Sequence, residues 1–161
     1  MEKKYEKLLK KYASDILYSK GMRMEKGFVQ HGSTSTYAHS VSVAITCIKI
    51  ADKLNLDVDM RSLVRGALLH DYYLYDWHEK RNERKWHGFT HAEEALKNAS
   101  KEFKLNNIEK NMIYCHMFPL NLRIPKYKET TILCIADKIC ASNEVYEENK
   151  YKLLKIRYNF D

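Results

Sequence analysis

Six histidine and aspartate residues in this chain could hold metal ions. Each stands near the end or first turn of a predicted helix, or among apolar neighbours: His39, His70, Asp71, His91, His116 and Asp137. Imidazole and carboxylate together suit Mn, Fe, Zn or Ni, whereas magnesium prefers a site made mostly of oxygen. Six ligands exceed the need of one tetrahedral centre that keeps a water position open. They fit two metal ions about 3.5–4 Å apart, bridged by a carboxylate.

The pair His70 and Asp71 directly follows the apolar run Gly66–Leu69. A buried imidazole or carboxylate needs a charge or a hydrogen-bond partner to offset its desolvation. A divalent cation would supply that partner to both residues, and the alternative is that they only cap the helix and bond locally. Asp137 stands among apolar residues and leaves the same choice between a local partner, such as Lys138, and a metal.

Apolar residues spaced three and four apart predict the helices that must position these side chains. The ranges that this spacing covers are 3–19, 35–54, 129–143 and a closing helix over 143–158. Capping signals start three further helices, at Asp57 or Asp59, at Thr90, and at Asn106 or Asn107. The small hydroxyl residues before the second helix are candidates for its N-cap. In this arrangement His39 lies in a first turn, and His70 and His116 lie at the ends of their helices.

Thr90 and Glu93 fit the capping-box pattern, with Thr90 as the N-cap. His91 would then be the first helical residue, and His87 would lie outside the helix. The preceding segment, 72–90, mixes aromatic and basic residues without a sustained period, which indicates a functional loop beside the site. The alternative is a small aromatic cluster under a basic surface.

Further residues are candidates for contacts with the metal ligands or with a substrate phosphate. They are His31, His87, Arg81, Arg84, Lys85, Arg123 and Lys126. The formal charge of +7 is spread along the chain and favours an anionic partner, either a phosphorylated small molecule or nucleic acid. His78 is interpreted as a surface residue.

The composition predicts one all-α domain over 1–161, with a core over about 31–145. Five Gly, two Pro and 30% charged residues favour helices over a turn-rich β fold. No run approaches the roughly 18 apolar residues of a membrane span, and the N-terminus is charged from Glu2 onward. The four cysteines contain no C-x-x-C pair. We therefore expect a soluble, cytoplasmic protein with reduced, mostly buried thiols.

The order of the six residues, H...HD...H...H...D, resembles the HD-domain phosphohydrolase family. The matching segments are 37–44, 67–71, 88–95, 113–116 and 135–139. The resemblance implies a helical bundle with a central metal site. In that site one metal is held by His39, His70, Asp71 and Asp137. Asp71 bridges to a second metal, which His91 and His116 hold.

The extra histidines make the chain similar to the two-metal branch of that family. This branch includes the HD-GYP cyclic-dinucleotide phosphodiesterases and the HD-type diadenosine tetraphosphate hydrolases. Two departures weaken the transfer of a substrate. Many single-metal members place a lysine three residues after the aspartate of the His-Asp pair, where this chain has Leu74, and the chain contains no Gly-Tyr-Pro.

The implied function is hydrolysis of a nucleotide or another small phosphate ester or anhydride by a metal-activated water. His70 and Asp71 would be the catalytic pair. The cofactors would be two divalent transition metals, with Fe or Mn first and Zn, Ni or Co as alternatives. Two other classes stay open: a di-iron enzyme of related fold that activates oxygen, and a regulatory module that binds a nucleotide without turning it over. The sequence leaves the oligomeric state open.

Overall fold

The structure is a computed structural model that describes residues 2–31, 34–75 and 87–158, and side chains over 3–30, 34–75 and 90–147. The helices in these ranges are α1 (Glu2–Leu17), α2 (Lys20–Met24), α3 (Thr36–Lys53), α4 (Met60–Leu69), α5 (His87–Glu102), α6 (Asn107–Cys115) and α7 (Lys128–Tyr158). A 3₁₀ turn, Glu25–Gly27, and an antiparallel pair, β1 (Val29–His31) and β2 (Thr34–Ser35), lie between α2 and α3. The prediction of an all-α fold is confirmed.

Three predicted helix starts are confirmed by their side-chain caps. Ser35 caps α3 and Asp59 caps α4, each accepting a hydrogen bond from the backbone N–H three residues further on. Asn106 and Glu109 form a reciprocal capping box at the start of α6. These caps satisfy N–H groups that the first turn of a helix leaves without a partner.

Helices α3 and α4 form the centre of the fold. Helix α3 packs against both α4 and α7, and α4 also packs against α1 and α6. The apolar residues that these two helices bury include Val43, Ala44, Cys47, Ile48, Leu63, Val64, Ala67 and Leu68. Gly66 permits the close approach of α4 to α6, because a Cβ there would lie 2.5 Å from Sδ of Met112. Burial of this apolar surface stabilises the bundle and holds the end of α4 in its interior.

The segment after α4 packs tightly against α2. Tyr72 is fully buried, and its hydroxyl donates a hydrogen bond to Glu102 at 2.6 Å. Gly21 lies directly against this ring, because a Cβ on Gly21 would come within 1.6 Å of the Tyr72 hydroxyl. Glycine at residue 21 therefore leaves space for the ring of Tyr72, which directly follows Asp71 in the sequence.

The N-terminal helix differs from the prediction over 3–19. Helix α1 ends at Leu17, and its backbone leaves helical geometry at Ala13 (φ −145°, ψ 30°). Ser19 then caps the separate helix α2 by accepting a hydrogen bond from the N–H of Met22 at 3.2 Å. A serine that offers its hydroxyl to the backbone favours a helix start, so the chain turns at this point.

The predicted capping box at Thr90 is wrong. Helix α5 begins at His87, so Thr90 and His91 lie inside it, and His87 is helical and does not precede the helix. The carboxylate of Glu93 pairs with Arg123, where the capping box would have it return to the backbone of Thr90. The carboxylate that the capping-box pattern requires at Glu93 is therefore bound to Arg123 instead of to the helix backbone.

The predicted helix boundary at residue 143 is also wrong. Helix α7 continues without a break from Lys128 to Tyr158, so the expected closing helix over 143–158 is its second half. No glycine or proline interrupts the sequence in this region. The turn at Glu144 is held to α3 by a contact with His39, described below, which supports continuation of the helix.

Two further features bear on the sequence predictions. All four cysteines are free and buried, as predicted. Within the described ranges, no helix combines the length and the apolar character needed to cross a membrane.

Candidate metal centre

The six candidate ligands form two groups of three in the interior of the bundle. We call them the His39 triad (His39, His70 and Asp137) and the Asp71 triad (Asp71, His91 and His116). Within each triad the potential ligand atoms all lie within 4.8 Å of one another. Five of the six residues are buried, and Asp137 is partly buried. The residues come from α3, α5 and α7, and from the C-terminal ends of α4 and α6.

Asp71 lies between the two triads and presents a different oxygen to each. Its Oδ2 is 3.3 Å from Nε2 of His70 and 3.9 Å from Nε2 of His39. Its Oδ1 is 3.4 Å from Nε2 of both His91 and His116. A carboxylate oriented in this way can bridge two cations, one on each side.

Buried polar atoms of the candidate ligands lie close together at the centre, and two of them lack hydrogen bonds. Nε2 of His70 and Oδ1 of Asp71 have no hydrogen-bond partner among the described residues. Nε2 of His91 and Nε2 of His116 face each other at 2.9 Å. Buried polar groups of this kind are costly unless they are paired. A cation in each triad would satisfy them, so the donor set fits two metal ions.

Helix ends fix the orientation of two of the imidazoles. His70 and His116 are the C-cap residues of α4 and α6. Each donates a hydrogen bond from Nδ1 to the carbonyl three residues earlier, Ala67 at 2.8 Å and Ile113 at 2.7 Å. The last carbonyls of a helix have no partner within it, so these bonds are locally favourable. They also place the proton on Nδ1, which leaves Nε2 free to coordinate a metal.

The imidazole of His39 is oriented by a carboxylate far along the chain. Glu144 accepts a hydrogen bond from Nδ1 of His39 at 3.0 Å, and Nε2 faces Oδ1 of Asp137 at 3.1 Å. Histidines that ligate metals commonly have a carboxylate on the second ring nitrogen. Lys138, the local alternative partner for Asp137, donates instead to the carbonyl of Cys134.

The carboxylates and imidazoles at the centre shift each other's pKa values. Burial lowers the pKa of His39, but its hydrogen bonds with Asp137 and Glu144 outweigh burial and raise the pKa to about 10. Burial raises the pKa of Asp137, but the hydrogen bond with His39 and the nearby imidazole of His70, whose Nε2 lies 3.6 Å from Oδ1 of Asp137, hold that pKa well below its usual range. For Asp71, the charge of His70 and the contacts with His91 and His116 outweigh burial and hold its pKa well below its usual range. These carboxylates would equally attract divalent cations.

Two residues at the centre were missed by sequence reasoning. Glu144 lies seven residues after Asp137, on the same side of α7 two turns further on, and this spacing is a signal that could have identified it. Gln30, in β1, donates a hydrogen bond from Nε2 to Oδ2 of Asp71 at 2.6 Å. No helical spacing or motif in the sequence indicates the role of Gln30.

Two predicted phosphate contacts, Arg123 and Lys126, have described side chains. Arg123 pairs with Glu93, and its guanidinium lies 4.0 Å from the centroid of the Tyr114 ring. Lys126 lines a surface pocket of about 370 Å³, which has none of the six candidate ligands in its lining. The role of these two residues in binding phosphate stays a prediction.

The remaining predicted contacts fall where side chains are not described. His31 ends β1 and His87 begins α5, and only the backbone of each is described. Three more, Arg81, Arg84 and Lys85, lie outside the described residues, as does His78, which is interpreted from the sequence as a surface residue.

One of three comparisons with known proteins gives a match. The family model described as HD domain matches residues 36–142, which include all six candidate ligands. Neither the comparison with curated proteins nor that with solved structures gives a match.

Proposed function

The chain belongs to the HD-domain family, whose members are generally metal-dependent phosphohydrolases, and we propose that it hydrolyses a small phosphate ester or anhydride. A nucleotide is the substrate class that we favour, because the positive charge of the chain suits an anion. The attacking group would be a metal-activated water.

The observation that carries the proposal is the position of Asp71 between the two triads. One carboxylate oxygen faces His39 and His70, and the other faces His91 and His116. A single cation would need only one of these oxygens. The division of the ligands into two complete triads supports a two-metal centre.

Each triad would have its own role in the proposed reaction. The His39 triad would hold one cation, the Asp71 triad would hold the other, and Asp71 would touch both. Bound cations would supply an acidified water and neutralise the phosphoryl oxygens. The carbonyls of Ala67 and Ile113 and the carboxylate of Glu144 hold the imidazoles in place, so little reorganisation is needed during the reaction.

A lysine-assisted mechanism finds no support in the chain. The position three residues after Asp71 is Leu74, which has a positive φ of 60°. A residue of this type at positive φ is uncommon and marks a constrained turn. Catalysis would therefore depend on the metal ligands and on basic substrate contacts. The predicted residues for these contacts remain Arg81, Arg84, Lys85, Arg123 and Lys126.

A second candidate function is oxygen activation at a di-iron centre. The observation that favours it is the donor set itself, since four histidines and two aspartates suit iron as well as manganese. Such an enzyme would consume oxygen and would release no phosphate.

The test begins with protein purified without chelator. We expect elemental analysis to find about two transition-metal ions per chain. We expect release of inorganic phosphate or nucleotide from a panel of phosphomonoesters, cyclic dinucleotides and dinucleoside polyphosphates. Oxygen uptake without phosphate release would favour the di-iron alternative. Binding of a nucleotide with neither activity would favour the regulatory module.

Asp71→Ala is the informative variant and Ser40→Ala is its matched control. Asp71 serves both proposed cations, so its loss should remove metal, activity and part of the stability together, because bound metal stabilises the folded state by mass action. Ser40 is fully buried beside His39, and its hydroxyl has no hydrogen-bond partner among the described residues. Full metal content in Asp71→Ala would refute the assignment and restore the helix-capping alternative.

A further inference from the structure

Gln30 makes a direct contact with the shared carboxylate from outside the set of six ligands. Its Nε2 donates to Oδ2 of Asp71 at 2.6 Å, and its side chain is almost fully buried. We propose that Gln30 is a positioning residue that sets the rotation of the Asp71 carboxylate, so that each oxygen faces its own triad. This inference rests on the proposed two-metal function.

The orientation of the Gln30 amide follows from the chemistry of its partners. An ionised carboxylate can only accept hydrogen bonds, so the NH₂ group of Gln30 must face Asp71. Its Oε1 then accepts a hydrogen bond from the hydroxyl of Tyr73 and a longer one, 3.4 Å, from Oγ1 of Thr36. The Tyr73 hydroxyl and Oγ1 of Thr36 also contact each other at 3.3 Å. Two buried hydroxyls therefore hold the amide with its donor side toward Asp71.

Asp71 needs such a partner because its carboxylate can rotate. The terminal torsion of an aspartate side chain has a broad, shallow preference. Gln30 is the one hydrogen-bond donor to this carboxylate within the described ranges, and Oδ1 accepts none there. With Oδ2 fixed by Gln30, Oδ1 is directed to the side of His91 and His116.

The type of residue also matters. Glutamine is neutral, so it orients the carboxylate without neutralising it, whereas a lysine or arginine at this place would compete with the cations for its charge. Each carboxylate oxygen has two lone pairs. Oδ2 can therefore accept from Gln30 and still face a cation held by His39 and His70.

Loss of Gln30 should affect the two metal sites unequally. Asp71 is the only carboxylate of the Asp71 triad, whereas the His39 triad also contains Asp137. A carboxylate that rotates away from His91 and His116 leaves that triad with two imidazoles and no carboxylate ligand. The His39 triad keeps a charged ligand under the same change.

The experiment titrates metal-depleted protein with Mn²⁺ alone and follows both stoichiometry and the electron paramagnetic resonance spectrum. For Gln30→Leu we expect the second ion to bind more weakly by on the order of 10–100-fold, as for other residues that orient metal ligands. Binding of the first ion should be unchanged. The signal of a coupled pair of ions should give way to that of an isolated ion at equal loading.

Two additional variants guard against a folding defect. Gln30→Asn keeps a buried amide but is one methylene shorter, so it should also lose the contact and weaken the second ion. Tyr73→Phe leaves Gln30 in place and removes one of the two hydroxyls that hold it, so it should shift the second ion in the same direction by less. Ser40→Ala is the control and should bind two ions as wild type does.

The number of ions bound by the wild type tests the two-metal proposal, and the second affinity of the variants tests the role of Gln30. A wild-type protein that binds a single ion overturns the two-metal proposal and the inference with it. A wild-type protein that binds two ions, together with folded Gln30→Leu and Gln30→Asn variants of unchanged second affinity, overturns the inference alone. Equal weakening of both ions would also count against it, because that result indicates general damage to the centre.

Discussion

Glu144 and His39 are 105 residues apart in the chain, yet their side chains form a hydrogen bond of 3.0 Å at the centre of the bundle. This bond joins the first turn of α3 to the middle of α7. We predict that Glu144→Ala weakens metal binding by on the order of 10–100-fold, because the imidazole of His39 loses the carboxylate that orients it and increases its basicity. Calorimetric titration of metal-depleted protein would measure the change.

Glu147→Ala is the matched control for that variant. Glu147 lies one turn further along α7 and its side chain is exposed. The Glu147→Ala substitution removes the same charge from the same helix, and it leaves the hydrogen bond of His39 with Glu144 intact. Similar losses in both variants would show that net charge, and not orientation of His39, governs the affinity.

The Asp71 triad predicts that His116→Ala lowers the metal content from about two ions to about one. The His39 triad keeps all of its ligands in this variant. The rate of hydrolysis of the phosphate ester or anhydride should fall by more than the roughly 10–100-fold expected for a residue that only orients a ligand. The reason is that one ion must then both activate water and hold the leaving oxygen. Elemental analysis at matched protein concentration is the measurement.

Lys110→Ala, an exposed change on the same helix, should leave the metal content at the wild-type level. Equal metal content in wild type and His116→Ala would decide against the second site.

The contact of Gly21 with Tyr72 predicts an effect on stability. A methyl group at residue 21 would overlap the fully buried Tyr72 ring, so Gly21→Ala should destabilise the fold by about 1–3 kcal/mol, the usual range for an overpacked interior. Gly27→Ala is the control, because a Cβ at Gly27 would meet nothing within 4 Å. Urea denaturation of both variants would test the difference, and equal midpoints would contradict it.

Glu25 gives a prediction about pH. Its side chain is fully buried, and neither carboxylate oxygen has a hydrogen-bond partner among the described residues. Burial and the charge of Asp71 raise the pKa of Glu25 well above its usual range, against an opposing effect of His39.

The folded protein therefore binds the Glu25 proton more tightly than the unfolded chain does. Its stability should fall as the pH rises above the unfolded pKa of about 4.3. Glu25→Gln cannot ionise, so its stability relative to wild type should increase with pH above that value and level off above the folded pKa. Denaturation of metal-depleted protein across this range would measure the difference. A difference independent of pH would rule the effect out.

The sequence predicted best the elements whose signals are local. Ser35, Asp59 and Asn106 cap the helices that their side chains indicated, because an N-cap bond joins residues only three apart. The capping box expected at Thr90 does not form: α5 begins at His87, and Glu93 pairs with Arg123, thirty residues away. The boundary expected at residue 143 is absent because the sequence there contains no glycine or proline that would end the helix.

The six candidate ligands were identified from residue type and order, and the structure brings them together in two triads. Their division was not predictable from spacing, since it depends on which oxygen of Asp71 faces which helix. Gln30 and Glu144 could not be assigned from local patterns, because each contacts a residue that is far away in the sequence: Gln30 contacts Asp71, and Glu144 contacts His39. An isolated glutamine in a short strand carries no periodic signal.

The positions of the ligands in the sequence mean that the two triads become complete at different times during protein synthesis. All members of the Asp71 triad have been added by residue 116, whereas the His39 triad waits for Asp137 in α7. Chains grow from the N-terminus at roughly 5–20 residues per second, and the earlier parts can begin to fold first. On a nascent chain one donor set is complete before the other acquires its carboxylate. The donor set of the Asp71 triad is therefore expected to be complete first, and α7 adds the last ligand of the His39 triad afterwards.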